Sequence, residues 1–178
     1  MYRWAVSVLI ILIIFTNTSP SQILPFRSYS VKDGLPANDI EGIAQDSYGR
    51  MWFGTTDGVS IYNGQSFTNY TIRDGLTGSH VSQILPDRKL PGVVWIVAGG
   101  GLCRFKEGKI TPIHLNVGVV TSICQDSQGV LWCGTNVGVI TIAGESVVRF
   151  KPSDLNNQVE RITELGDSVM WFSQGSLL

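Results

Sequence analysis

The stretch Met51-Trp52-Phe53-Gly54-Thr55-Thr56-Asp57-Gly58 decides the fold, because the chain repeats it. Variants return as Val94-Trp95-Ile96-Val97-Ala98, as Leu131-Trp132-Cys133-Gly134-Thr135-Asn136 and as Met170-Trp171-Phe172. The tryptophans recur at intervals of 43, 37 and 39 residues. A period of roughly 40–45 residues is that of a four-stranded propeller blade. The flanking residues complete the unit. An apolar strand precedes each of the first three copies: Ile40 to Gln45, Val81 to Leu85 and Val120 to Gln125. A turn of the form Asp-x-x-Gly, Asp46 to Gly49 and Asp126 to Gly129, joins that strand to the Trp strand. Its Asp can bond the backbone two residues on, and its Gly tolerates positive φ. The second copy keeps Asp87 and Gly92 with an insertion between them.

The Trp strand is apolar at successive positions, so both of its faces are expected to be buried, as when blades stack face to face. A glycine turn then leads to a third strand: Val59 to Tyr62, Leu102 to Phe105 and Val139 to Ile142. The fourth carries a spaced apolar pair: Phe67 and Tyr70, Ile110 and Ile113, Val147 and Phe150. Phe26 and Tyr29 stand 41 residues ahead of Phe67 and Tyr70, as Asp33-Gly34-Leu35 stands ahead of Asp74-Gly75-Leu76. The expected architecture is all-β, a partial β-propeller of about three and a half four-stranded blades. Its parts are a leading outer strand at 24–31, blades at 38–71, 80–114 and 118–151, and an incomplete fourth blade at 158–178. A leading outer strand commonly completes the last blade of a closed ring and removes its open edge. Fifteen strands result where a ring of four blades needs sixteen, so the reading is of a truncated propeller.

Residues 1–21 differ in kind. Arg3 is followed by an apolar run from Trp4 to Phe15, broken by Ser7, and then by a polar segment ending at Ser21. The run is too short for a bilayer core, which needs roughly 20 residues. The pattern predicts a secretory signal peptide cleaved before Gln22, and hence an exported, periplasmic or extracellular protein. An uncleaved N-terminal anchor is the alternative.

Composition narrows the function. Charged residues make up 15% of the chain, the net charge is −1 and no basic stripe is present, so nucleic acid is excluded as an expected partner. The three cysteines fall at repeat positions: Cys124 matches Ala44, Cys133 matches Phe53, and Cys103 matches Ser60 and Ile140. They are expected to be buried, inert thiols rather than a disulfide framework, with a Cys124–Cys133 bridge as the alternative. No metal-ligand spacing occurs, and no cofactor is implied. His80 and His114 lack the surroundings of a catalytic base, Asp46, Asp57 and Asp126 have sufficient roles in turns, and no helix pattern follows Gly99-Gly100-Gly101 to make a phosphate loop. No enzyme is expected.

The two best copies, Ile43-Ala44-Gln45-Asp46-Ser47-Tyr48-Gly49-Arg50-Met51-Trp52-Phe53-Gly54-Thr55 and Ile123 to Thr135, resemble the two-component regulator propeller family. Asp33-Gly34-Leu35-Pro36 with Asn38 is similar to that family's loop between blades, and the likeness extends over about residues 26–172. Val97-Ala98 departs from it where Gly-Thr is expected. The resemblance implies the periplasmic sensing part of a membrane-bound sensor kinase, often a hybrid one, in many cases responding to carbohydrate. The kinase part has no counterpart in these 178 residues.

A ligand would be met on one face. Alternating strand directions bring the loop before the first strand and the turn between the second and third to the same end of each blade. Pro36, Asn38, Asp39, Thr55, Thr56, Asp57, Thr77, Ser79, His80 and Asn136 fall there. The expected ligand-binding residues are Asn38, Asp39, Thr55, Thr56, Asp57, Ser79, His80 and Asn136, which suit a hydroxyl-rich small molecule or oligosaccharide; alternatively they cap turns and face water. A structural propeller docking another protein or a homodimer partner is the second functional class, and a propeller lyase or hydrolase the third. The tryptophans are assigned to packing between blades.

Overall fold

The structure is a computed structural model describing residues 26–116, 118–144, 146–150, 158–165 and 169–174. The expected signal peptide lies outside them. Three antiparallel sheets of four strands follow one another, each in simple sequence order, and a two-stranded sheet comes after. The first blade holds β1 (Ile40–Gln45), β2 (Met51–Thr55), β3 (Gly58–Tyr62) and β4 (Phe67–Tyr70). The second holds β5 (Val81–Pro86), β6 (Val94–Ala98), β7 (Gly101–Lys106) and β8 (Lys109–Ile113). The third holds β9 (Val120–Gln125), β10 (Leu131–Thr135), β11 (Gly138–Ala143) and β12 (Ser146–Phe150); β13 (Val159–Leu165) and β14 (Val169–Gln174) form the last sheet. The all-β propeller architecture read from the repeats is therefore the architecture of the molecule. Among the described residues no helix is long and apolar enough to cross a membrane.

Period-2 alternation sends the two faces of each Trp strand to different neighbours. Trp52, Val59 and Ile61 pack against Val94, Ile96, Cys103 and Phe105 of the second blade. Trp95, Val97 and Leu102 meet Ile123, Leu131, Cys133 and Ile140 of the third. Trp132 and Val139 in turn meet Val159, Ile162, Met170 and Phe172. Each of these three tryptophans thus faces the blade that follows it. Trp52 is fully buried and meets Phe105 edge-on at 4.8 Å between ring centres. An indole of this size buries roughly 150–250 Å², worth about 4–6 kcal/mol at ~25 cal/mol/Å². Trp171 differs, at 58% exposed.

Glycine follows the Trp strand's core positions because the next blade needs the space. A Cβ on Gly54 would lie 2.8 Å from both the carbonyl oxygen and Cγ1 of Val81, and one on Gly134 would lie 3.0 Å from Val159 Cγ1. The 41-residue offset is also structural. Ser30 and Thr71 each cap a single 3-10 turn, Val31–Asp33 and Ile72–Asp74, through reciprocal bonds with Asp33 and Asp74, and Gly34 and Gly75 end the turns at φ of 113° and 110°. Tyr29 stacks on Tyr62 at 5.1 Å much as Tyr70 meets Phe105 at 5.6 Å. The segment expected as a leading strand, however, has no ladder over 26–30. An outer strand needs a third strand to pair with, and the last sheet has two strands among the described residues.

Candidate functional site

The loop face forms where β1 begins and the β2–β3 turn closes, since Ile40 pairs with Thr55 and Thr55 with Gly58. Asn38 is exposed, and its Oδ1 accepts a hydrogen bond from the Val31 N–H at 3.0 Å. Asp39, Asp57, Ser79 and Asn136 are exposed and Thr56 is half-buried. His80 and Glu41 approach to 3.8 Å across the first two blades. Thr55 is fully buried; its hydroxyl donates to the Gly58 carbonyl at 2.9 Å and accepts from the Asp57 N–H at 3.1 Å. Thr135 repeats this with Gly138 and Val137. Both threonines thus close their turns. Where the second blade has Ala98 instead, the Thr77 hydroxyl comes from the preceding loop to bond the Ala98 carbonyl at 2.7 Å.

A second polar surface lies on the innermost strands, the apolar first strands of the repeat. Every sheet slips register by one residue at the same place, leaving Glu41, Ser82, Thr121 and Glu160 as the extra residue of a β-bulge. β5, β9 and β13 enclose a concavity of about 390 Å³ lined by Ser82, Gln83, Thr121, Ser122, Glu160, Arg161, Ile162 and Thr163. Some of these groups are tied into the fold. The Gln83 amide donates to the Ile123 carbonyl and accepts from the Ile123 N–H, both at 2.8 Å, so one side chain stands in for a strand pairing between blades. Ser122 accepts from the Ile162 N–H at 3.2 Å, and the Thr121 hydroxyl donates to the Val159 carbonyl. Ser82, Glu160, Arg161 and Thr163 remain exposed to the concavity. The signal was present in sequence as polar pairs after the first apolar residue of each copy: Ser82-Gln83, Thr121-Ser122 and Glu160-Arg161.

At the opposite end the repeated aspartate does more than close a turn. Asp46 Oδ1 accepts from the Tyr48 N–H at 2.9 Å as expected, but Oδ2 accepts from Trp52 Nε1 at 2.8 Å and from Arg50 Nε at 2.8 Å. The same indole-to-carboxylate bond joins Trp95 to Asp87 at 2.8 Å and Trp132 to Asp126 at 2.7 Å. Burial of Asp46 works against its charge, but bonds from Trp52, Arg50 and two backbone N–H groups outweigh it and hold the carboxyl below its ordinary pKa. Gln125 Nε2 bridges Asp87 and the Gly129 carbonyl, and its Oε1 accepts from the Arg88 N–H. Glu164 receives the Arg88 side chain and the Ser127 N–H, and these bonds depress its pKa. Blades two, three and four are stitched together by this network.

All three cysteines are free. Burial pushes the Cys133 thiol up to about 12, which makes it inert. Cys124 pairs across the ladder with Trp132, whereas Cys133 pairs with Ile123, so the two thiols face different blades and cannot bridge. Among the described residues no three His, Cys, Asp or Glu side chains converge as a metal site.

Sheets of four antiparallel strands in sequence order, stacked around an inner concavity, define the class as a β-propeller. Within it, residues 34–57 and 114–137, which hold the first two strands of the first and third blades, match the two component regulator propeller family. A histidine kinase P4 from Formosa agariphila is 38% identical over 45 residues, which is 25% of this chain and 3% of the kinase. The extracellular domain of a hybrid two component system from B. thetaiotaomicron superposes with a TM-score of 0.69 at 22% identity, covering 83% of this chain and 22% of that one. Virginiamycin B lyase from Staphylococcus aureus superposes with a TM-score of 0.62 at 19% identity over 76% of this chain and 49% of the lyase. The chain therefore spans a small part of the kinase and about half or less of these structures, and the last two similarities concern the fold.

Proposed function

We propose that this chain is part of the extracytoplasmic sensing propeller of a two-component regulator, which binds a small hydroxyl-rich ligand without transforming it. The observation that carries the reading is the polar concavity, to which the bulged inner strands β5 and β13 present Ser82, Glu160, Arg161 and Thr163. Hydroxyls, a carboxylate and a guanidinium on rigid strands suit hydrogen bonding to a polyhydroxylated molecule. The adjoining loop face adds Asn38, Asp39, Thr56, Asp57, Ser79, His80 and Asn136 as further ligand contacts. Export through the N-terminal segment and coupling to a membrane-spanning kinase belong to the same proposal. The family match and the kinase similarity support it; the lyase similarity is the counterweight, and no converging acid–base or nucleophilic set accompanies it among the described residues.

The test is calorimetric titration of the exported protein with a panel of neutral oligosaccharides, combined with product analysis of the same mixtures. Saturable binding that weakens in Ser82→Ala, Thr163→Ala and Arg161→Ala, with the sugar recovered intact, is expected. Unchanged binding in those variants and in Asn38→Ala, Thr56→Ala and His80→Ala would refute the assignment of the site. Turnover of the sugar would refute the non-catalytic reading. A docking role is the second reading, favoured by Ile43, Leu165 and Trp171, which are 62%, 62% and 58% exposed on the first and last sheets. Apolar residues grouped at such faces suit a protein partner or a second copy of the chain. Concentration-dependent sedimentation separates that reading from ligand sensing.

A further inference from the structure

The blade repeat makes its own exceptions visible. On the face opposite the loop face, several departures from the repeat converge on one cleft of about 150 Å³, formed by Tyr48, Arg50, Pro91, Gly92, Phe105 and Lys106 with the adjoining hairpin. Arg50 occupies a position that the other complete blades fill with Val93 and Val130, so blade architecture does not require a cation there. The backbone duties of the position are met equally by valine: the Arg50 N–H bonds Asp46 Oδ1 at 3.0 Å, and the Val130 N–H bonds Asp126 Oδ1 at 2.9 Å. Tyr48 stands where the third blade has Gln128 and is 66% exposed, lying against Gly92, where a Cβ would come within 2.7 Å of its ring. Pro91 belongs to the insertion in the second blade's turn, next to the retained Gly92. The Glu107-Gly108 hairpin, with φ of 50° and 79°, closes another side, and Glu107 turns its carboxylate outward, 85% exposed and 3.8 Å from Lys106.

The guanidinium is held in one orientation. Nε donates to Asp46 at 2.8 Å, and the guanidinium carbon lies 5.3 Å from the Tyr48 ring centre, 5.9 Å from Trp52 and 5.8 Å from Phe105. With Nε committed, the two Nη groups are left as an end-on fork, and neither has a hydrogen-bond partner among the described residues. An end-on guanidinium fork matches a planar carboxylate through two parallel N–H···O bonds. Aromatic walls and the Lys106 ammonium at the rim add stacking area and charge. We propose that this cleft is a binding site for a small, planar carboxylate, held by Arg50 and stacked against Tyr48, and separate from the concavity on the inner strands.

Benzoate titrated against the isotopically labelled protein tests this, read at the indole N–H resonance of Trp52, whose Nε1 shares the Asp46 Oδ2 atom with Arg50. A saturable shift is expected with benzoate, a much weaker one with benzamide, and none beyond an ionic-strength control with sulfate. Arg50→Val, which installs the residue of the sister blades, should weaken benzoate by about tenfold or more, as loss of a charged bidentate contact does. The Trp95 and Trp132 indole resonances, unmoved by that substitution, report that the blades remain folded. Tyr48→Gln should weaken binding less. No saturable shift in the parent, equal binding of benzamide or sulfate, or benzoate affinity within twofold of the parent in a folded Arg50→Val protein would each overturn the proposal.

Discussion

Replacing Asp87 by Asn gives the sharpest test of how the blades are held together. Its carboxylate is nearly buried and accepts four bonds: Trp95 Nε1 at 2.8 Å and Gln125 Nε2 at 2.9 Å on Oδ2, and the Lys89 and Leu90 N–H groups at 2.8 and 2.9 Å on Oδ1. An amide has one acceptor oxygen in the same outline, so one pair of donors must face its NH2. If the oxygen stays on the backbone pair, Gln125 keeps the Gly129 carbonyl at 3.0 Å, but the indole N–H of Trp95 is orphaned in the core. A charge-assisted bond contributes about 1.5–3 kcal/mol and an orphaned buried donor costs about 1–3 kcal/mol, overlapping quantities that combine to about 3 kcal/mol. In a domain of this size that lowers Tm by roughly 6–12 °C. Trp95→Phe alone should cost about 1.5 kcal/mol, because Asp87 keeps three donors. The double variant should cost about as much as Asp87→Asn alone, since removing the indole N–H removes the orphan. Urea unfolding followed by tryptophan emission measures all three. Additive losses, or an Asp87→Asn loss below about 0.5 kcal/mol, would refute the clamp.

Stability should fall on acidification, because Asp46 and Glu164 both have depressed pKa values in the folded chain. Their stabilisation is fully present above the unfolded carboxyl values of about 4 and is lost as pH falls through the folded values; urea midpoints between pH 7 and pH 3 should show this, and Asp46→Asn should flatten the profile. Gly54→Ala should destabilise by about 1–3 kcal/mol, because its Cβ would meet Val81 at 2.8 Å, whereas Gly64→Ala, with nothing within 4 Å but φ of 97°, should cost about 1–2 kcal/mol through backbone strain alone. Gln83→Ala should speed hydrogen exchange at Ile123, whose N–H and carbonyl both lose their partner in the amide. Unchanged exchange at Ile123 would show that the bridge between blades is not made in solution.

The fold was legible in the sequence because a repeated unit states its pattern several times. Period-2 apolarity, Asp-x-x-Gly turns and the 41-residue offset each appear more than once, and the match of Cys103 with Ser60 and Ile140 is the structure's own register, in which each pairs with the central Trp-strand residue Ile96, Phe53 or Cys133. The inner concavity was harder to read. It depends on a β-bulge, and a register slip between two strands has no signature in either strand alone. Without the slip, strict alternation would alternate Ser82 and Gln83 between the faces of one strand; with it, both line the same concavity. Thr55 shows the converse limit. Its polarity and position suggest ligand contact, but its hydroxyl is spent on the turn, and the sequence shows this as the Thr-x-x-Gly spacing that Thr55 to Gly58 shares with Thr135 to Gly138.

The division between repeat and exception also separates scaffold from recognition. Residues that recur at equivalent positions are explained by contacts that recur with them: the Trp–Asp clamp in three blades, the threonine that closes the turn in two, and the glycine that admits the next blade's valine. A substitution at any of these is expected to act through stability, since the same bond is made where no ligand could be common to all copies. Residues that break the pattern have no such account. Arg50 among valines, Tyr48 opposite Gly92, and Arg161 where the neighbouring blades carry Gln83 and Ser122 place charge or aromatic surface where the blade does not need it. Alanine substitutions at the recurring positions should therefore lower unfolding midpoints before they alter any binding isotherm. Substitution of Arg161 toward the residue of a sister blade should do the reverse, whereas Arg50→Val should alter binding and also lower the midpoint, because it removes the bond from Nε to Asp46.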